Sequence, residues 1–573
     1  MRRRRPWPRL GRMNKLSEWT RRDRIPAWIL LALLLAGCQP QADETEARSA
    51  FRSALQAQLS DQPQPVVDFY AERDHRPLWL HLDRGWLGSA GWTDQANELL
   101  DAIEAAETHG LPRARYTPQA LQTRLADPPP DAASARAEAE WALTERYLRL
   151  ASDYSRGRFD DDAQTSAWHI ARPSFSAAAA LQALTEAGVT DALAAMPPQS
   201  DLYARLRDAR PQLLRIIQDG GWPTIEAQGL IQPDDRHPAV PALRKRLIIA
   251  GDLAATHARD ETAEDAALYD KTTVDAFIRF QRRHGIEADG IIGEEARSML
   301  NYTATQRLEQ VDANLERLRW LPRTLGDDRI MVNIAAYTLE AYRDGQASLS
   351  MPVIVGEEQH QTPAFDDRLE YVEINPYWTV PNSIIVNEMA PKIADDPQYL
   401  ADRNMIVQAD WPLDAEIIDP ATIDWSSYSR ADAQFPHVLR QKPGPDNALG
   451  RIKFMFPNQF SIYLHDTPAQ HLFEEADRTF SHGCIRVAEP LALADFVFAN
   501  TDGWDRQRVA ETIESAQHTR VDLPDPDRLP VFIYYSTAWA DADGVLHFRP
   551  DRYQRDASLM LAFRRARGQT PDV

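Results

Sequence analysis

Phe480-Ser481-His482-Gly483-Cys484-Ile485-Arg486-Val487 is the stretch on which the reading of this 573-residue chain turns. It carries one of only two cysteines. An interior Cys without a disulfide partner, flanked by His and Gly, is a candidate nucleophile. Upstream, Ile462-Tyr463-Leu464-His465-Asp466-Thr467-Pro468 reads as a short strand that stops at a turn before Pro468, which puts His465 at a strand end. A thiol is mostly protonated near neutral pH, so attack needs a neighbouring imidazole to take the proton and return it to a leaving amine. Cys484 is therefore the expected nucleophile and His465 the base. Loss of His465 is expected to slow acylation and to move the titration of the thiol upward. Gly483 permits a tight turn in which the N–H groups of Gly483 and Cys484 face an oxyanion, and His482 is expected to position the pocket. Side chains alternate along a strand, so Asp466 points away from the face His465 uses, and the imidazole is expected to bond a backbone carbonyl. Two other readings of the same residues are a buried structural Cys and a zinc site from His465, His482 and Cys484, which lacks a fourth ligand at a recognisable spacing.

His465, then fifteen residues, then Ser481-His482-Gly483-Cys484 resembles the signature of the L,D-transpeptidases of bacterial cell walls. Arg440-Gln441-Lys442-Pro443-Gly444-Pro445, Asn447-Ala448-Leu449-Gly450, Lys453-Phe454, Phe456-Pro457-Asn458, Asn375-Pro376-Tyr377-Trp378 and Val380-Pro381 are similar to the large, multi-domain Gram-negative branch of that family. Arg486 stands where many smaller members carry Asn, and refines the subgroup. The resemblance implies a catalytic set of Cys484, His465, His482 and Gly483. Substrate contacts are expected from Ser481, Arg486 and Tyr463, and the chemistry requires no metal and no organic cofactor.

Residues 1–37 carry ten Lys or Arg against Glu18 and Asp23, so the rest of the chain holds −29 where the whole holds −21. A chain this acidic repels a polyphosphate, and nucleic acid is not an expected partner. The apolar run Ala27–Ala36 is short for a membrane span and suits a signal h-region. Leu35-Ala36-Gly37-Cys38 resembles a lipobox, so 1–37 is expected to be a lipoprotein signal peptide and Cys38 the lipidated anchor. Met13 is an alternative start. Residues 38–65, with Gln-Pro-Gln-Pro at 62–65, read as a tether.

Helical spacing around 99–106, 141–154 and 202–217 makes 66–236 a helical scaffold domain, with Tyr147, Leu150 and Tyr154 in its core. Residues 237–302 resemble a small three-helix peptidoglycan-binding module. Val240, Leu243 and Leu247 line one helix, Val274, Phe277, Ile278 and Gln281 mark another, and Gly285, Asp289-Gly290 and Ile292-Gly293 supply the turns. From Ile330 the pattern turns to strands, with Asp344-Gly345 a hairpin turn, and 303–565 is expected to be a mostly antiparallel β catalytic domain. The strand signal lapses across 383–440, where the family's large branch carries a capping insertion; Trp411, Trp425 and Tyr428 are expected to pack it. Pro490 to Ala499 reads as a helix, Val531 to Tyr535 as a returning strand, and 566–573 as a disordered tail.

The expected fold class is multidomain α+β: helical scaffold, three-helix module and β catalytic domain. By resemblance the protein is a lipid-anchored periplasmic acyltransferase of cell-wall organisation and cell shape. It would act on peptidoglycan stem peptides, with other cell-wall synthesis proteins as possible partners. A cysteine hydrolase using the same pair and a non-catalytic wall-binding lipoprotein remain as alternatives.

Overall fold

The computed structural model describes residues 39–82, 91–127, 132–159, 167–258, 265–430 and 432–566. Residues 1–37, expected to be a signal peptide, Cys38 and the expected tail after Ala566 lie outside the described residues. The chain divides into two compact units, one holding residues up to Asn97 with Gln122–Thr144, the other Glu98–Leu121 with Glu145–Val573. The expected 66–236 scaffold is thus shared between the two.

In the first unit the expected tether is replaced by a helix over Gln39–Leu59. Phe51, Leu55 and Leu59 recur every four residues and are buried, so one face of a mostly polar segment has a core to join. The helix Gln64–Glu72 follows, with Val66 and Tyr70 buried. Glu140, fully buried, accepts hydrogen bonds from the Leu78 and Trp79 amides at 2.6 and 3.2 Å and from the Tyr70 hydroxyl at 2.9 Å. Burial pushes its carboxyl up to about 7.

The second unit is organised on an eleven-stranded sheet. Its order is Thr519–Asp522, Tyr371–Ile374, Ile452–Met455, Leu464–His465, Ile485–Val487, Gln346–Gly356, Thr338–Arg343, Arg329–Asn333, Pro530–Tyr534, Phe365–Arg368, with Thr479–Ser481 joined to Gln346–Gly356 off this path. Most pairs are antiparallel. Three are parallel: Arg329–Asn333 with Pro530–Tyr534, Leu464–His465 with Ile485–Val487, and Thr479–Ser481 with Gln346–Gly356. Alternation sends Ile330, Val332, Val531 and Ile533 into one core with Val353, Leu464, Ile485 and Leu493 of the helix Pro490–Phe498. The intervening Met331, Phe532 and Tyr534 face the helices Asp201–Gln218 and Ala304–Leu318 through Leu206, Leu213, Val311 and Leu315. Tyr147, Leu150 and Tyr154 are buried as expected.

The three-helix module is present as Val240–Ile249, Lys271–His284 and Glu294–Asn301, with Val240, Leu243, Leu247, Phe277 and Leu300 in its core. Gln281 is buried and tied to the turn after it, its Oε1 accepting from the Gly290 amide at 2.8 Å and its Nε2 donating to Asp289 at 2.9 Å. Where the strand signal lapses across 383–440, the structure nevertheless has strands. Trp378–Thr379, Val438–Gln441, Met405–Gln408 and Ile417–Ile418 form a second, four-stranded sheet packed on a helical run from Asn382 to Asp395. Trp425 and Tyr428 meet Phe435 at ring-centroid distances of 5.0 and 5.3 Å in its core, whereas Trp411 is 69% exposed. The insertion is a folded subdomain. At the other end a helix over Arg555–Ala566 extends where the sequence pattern gave no element and reaches into the expected tail at Ala566.

Buried ion pairs anchor the helix Ala304–Leu318 beneath the sheet. Arg210 grips Asp312 with two hydrogen bonds of 2.6 and 3.1 Å, and Arg317 pairs with Asp556. Removing one member leaves its partner as an uncompensated buried charge, so Asp312→Ala is expected to destabilise the second unit by about 3–5 kcal/mol. Urea unfolding would show this as a lowered midpoint. The double replacement Arg210→Met with Asp312→Leu should recover most of the loss.

Candidate active site

Leu464–His465 and Ile485–Val487 pair in parallel, Leu464 opposite Ile485 and His465 opposite Arg486. Leu464 and Ile485 are fully buried in the sheet core, so alternation turns His465, Arg486 and the preceding Cys484 to the opposite face. On the other side of His465, Lys453 is its antiparallel partner, and Lys453 in turn sits opposite Glu373, which its ammonium meets at 3.2 Å. Tyr463 joins the same face two residues before His465, its ring 5.6 Å from the imidazole, with the Lys453 ammonium 4.3 Å from the ring centre.

Cys484 is half-buried, and its thiol donates to the Ser461 carbonyl at 3.8 Å. Burial pushes the thiol up from its ordinary value, partly offset by hydrogen bonds from the Tyr463 backbone and side chain and by the Lys453 and Arg486 charges. His465 is 4% exposed. Its Nδ1 bonds the Asp466 carbonyl at 2.5 Å, and a carbonyl only accepts, so Nδ1 carries the proton and Nε2 keeps a lone pair. Burial, then the Arg486 and Lys453 charges, lower the imidazole to about 3. The resting pair is a neutral thiol and a neutral base. The Asp466 carboxylate is engaged elsewhere, accepting from the Arg451 and Thr467 amides at 2.8 and 2.7 Å.

The turn that carries Cys484 is braced from inside. The Ser481 hydroxyl donates to the Cys484 carbonyl at 2.5 Å and accepts from the Gly483 amide at 3.1 Å. Ser481 is buried, and its hydroxyl, expected to contact substrate, is bonded within the turn. The Gly483 amide, expected to bind an oxyanion, is likewise engaged by that hydroxyl. Gly483 has φ of +108°, and its carbonyl accepts from Thr362 Oγ1 at 2.8 Å. Behind it, a Cβ on Gly356 would lie 2.0 Å from the His360 carbonyl and 3.1 Å from the Gly483 Cα, so two glycine backbones pack together there. His482 is turned outward, and its Nε2 meets Glu388 of the insertion at 2.6 Å. Arg486 donates to the Phe480 carbonyl at 3.3 Å. A cavity of about 1090 Å³ lined by Asp201, Arg205, Thr338 and Trp539 holds none of these residues and is not the reaction site.

Residues 327–509, which include Cys484 and His465, match the YkuD family, the L,D-transpeptidase catalytic domain. The chain carries an L,D-transpeptidase catalytic domain. Ahead of it, 64–209 match the scaffold domain family and 236–300 the family described as "Putative peptidoglycan binding domain". A curated relative, a "Putative L,D-transpeptidase" of Haemophilus influenzae, is 36% identical over 258 residues, covering 45% of this chain and 50% of the relative. The chain thus spans about half the length of the curated relative it matches. Among solved structures, an L,D-transpeptidase from Xylanimonas cellulosilytica covers 54% of this chain and 99% of its own at 15% identity and a TM-score of 0.17. LdtMt1 in complex with imipenem covers 36% of this chain and 59% of its own at 12% identity and a TM-score of 0.17.

Within the transpeptidase domain the structure puts Cys484, His465 and Arg486 on one sheet face with the Tyr463 ring near the imidazole, while the Ser481 hydroxyl bonds the turn and His482 pairs with Glu388. Lys453, Glu373 and Ser461 were missed as site residues. Lys453 stood in the sequence only as part of a motif, because which strands pair across a sheet is not written in either strand. The neutral pair also revises the titration expected for a His465 variant: the imidazole carries no charge to withdraw. His465→Ala should slow acylation of Cys484 by roughly 10²- to 10⁴-fold without raising the thiol's titration. Lys453→Met, which removes a cation, should raise it. In the wild type the rate should show no inflection near pH 6.5, because Nε2 keeps its lone pair until the pH approaches about 3. Stopped-flow acylation by a carbapenem across pH, with thiol alkylation alongside, reads all three.

Proposed function

We propose that this protein is a peptidoglycan L,D-transpeptidase that joins stem peptides through a thioester on Cys484. The placing of Cys484 on the same sheet face as His465, a buried imidazole whose Nδ1 is bonded to a carbonyl so that Nε2 keeps its lone pair, is the observation that carries the reading. In the first half-reaction Sγ bonds the carbonyl carbon at the L-centre of residue three of a tetrapeptide stem while its proton passes to His465 Nε2. The C–N bond to the terminal D-alanine then breaks, and the departing amine takes that proton. In the second half an acceptor amine attacks the thioester carbonyl and gives its proton through Nε2 to the leaving sulfur. A diaminopimelate side chain as acceptor yields a 3-3 crosslink; a free D-amino acid yields an exchanged terminus. The Cys484 amide, with the Arg486 charge on the same face, is suited to the oxyanion, and Lys453 steadies the sulfur as it becomes anionic.

The module at 237–302 is proposed to hold the wall and the insertion to cover the donor stem, with Cys38 as a lipid anchor in the periplasm, in the outer membrane by preference. Purified protein incubated with a disaccharide-tetrapeptide is expected to release D-alanine and give a crosslinked dimer by mass, and Cys484→Ala to give neither. A tripeptide as sole product would make the enzyme a hydrolase and overturn transfer. Cys38→Ala is expected to move the protein from the detergent phase to the aqueous phase on partitioning. Wild-type protein found in the aqueous phase without residues 1–37 would contradict the anchor.

A further inference from the structure

Beside the catalytic turn, three metal-ligating side chains converge that the acyl transfer does not use. The His482 ring packs on His360 with centroids 4.7 Å apart, and His360 Nδ1 donates to Glu357 Oε1 at 2.8 Å. One ligand atom from each of Glu357, His360 and His482 lies within 4.8 Å of the other two. Their backbones are held by the turn's own bracing. The Glu357 amide donates to the Ser481 carbonyl at 2.9 Å, and Thr362 Oγ1 links the Gly356 amide to the Gly483 carbonyl at 2.9 and 2.8 Å. The two elements therefore arrive in fixed relation, and the ligand side chains are partly exposed. From the insertion, Glu388 already occupies the Nε2 of His482.

We propose that Glu357, His360 and His482 bind a divalent cation of the zinc class, with Glu388 as the outer carboxylate that orients His482, and that the ion acts as a brake by tying the insertion to the turn carrying Cys484. Two imidazole nitrogens and one carboxylate oxygen are a zinc donor set, whereas calcium and magnesium take oxygen ligands. A tetrahedral zinc with bonds of about 2.0–2.1 Å needs ligand atoms about 3.3 Å apart. Closing from 4.8 Å asks for rotation of half-exposed side chains and no movement of the backbone. The trio His465, His482 and Cys484 does not form such a cluster among the described residues, so the proposed ion is separate from the reacting atoms.

Isothermal titration of the Cys484→Ala protein with zinc chloride removes the thiolate as a competing ligand. One ion per chain is expected, with binding lost in His360→Gln and in Glu357→Gln on the same background, and weakened about 10- to 100-fold in Glu388→Gln. His360 and Glu357 are partly exposed, so melting in EDTA should be unchanged by their substitution and would certify the fold. With Cys484 intact, zinc is expected to slow carbapenem acylation, EDTA to restore it, and His360→Gln to be insensitive. No zinc uptake by Cys484→Ala, or equal uptake after His360→Gln, overturns the site. Equal slowing of His360→Gln places the ion on the thiolate and overturns the brake.

Discussion

Two strands of two and three residues, paired in parallel so that Leu464 meets Ile485 and His465 meets Arg486, fix everything the site can do. Leu464 and Ile485 must face the core, and that single demand sends His465 and Cys484 to the same opposite face. A slip of one residue would bury the imidazole among aliphatic side chains and expose leucine. The same burial sets the electrostatics, since a desolvated imidazole beside two cations resists protonation and a desolvated thiol resists ionisation. The pair is held neutral, and the energetic work of separating charge is deferred to the moment of attack. Tyr463, Lys453 and Arg486 surround the place where the negative charge then forms.

The turn between those strands and the rest of the sheet is shaped as much by backbone as by side chains. Ser481, Thr362, Gly356 and Gly483 form a close-packed knot, and His482 within the same turn meets Glu388 of the insertion. The insertion has its own apolar core, with Val380, Met389, Val407 and Leu439, so it meets the turn through Glu388 as a body and not as a loose loop. Burial of hydrophobic side chains holds the insertion together, and the Glu388 carboxylate joins it to the His482 imidazole.

Much of this was legible in the sequence where local pattern and chemistry coincide. The strand alternation around Leu464, the isolated Cys484 and the backbone partner of His465 follow from residues close together in the chain. What spans the sheet was not legible: Lys453 and Glu373 become site residues only through register, and Glu388 only through the docking of a subdomain. The insertion's strands, two to four residues long, are too short for a periodic signal, so the region read as a lapse. The Gln39–Leu59 helix was hidden by its polarity, although Phe51, Leu55 and Leu59 carried the four-residue spacing. Ser481 looked available because a sequence shows that a hydroxyl is present and not which way it bonds.

The central claim is that Cys484 and His465 rest as a neutral thiol and a neutral Nδ1–H imidazole. Nitrogen-15 NMR of histidine-labelled protein, with His465 assigned by its Ala variant, tests it most directly. Between pH 5 and pH 8 the account expects one protonated nitrogen, Nδ1, and a bare Nε2 whose shift does not move. Two protonated nitrogens in that range, collapsing to one when Cys484 is changed to Ala, would reveal a thiolate–imidazolium pair and contradict it.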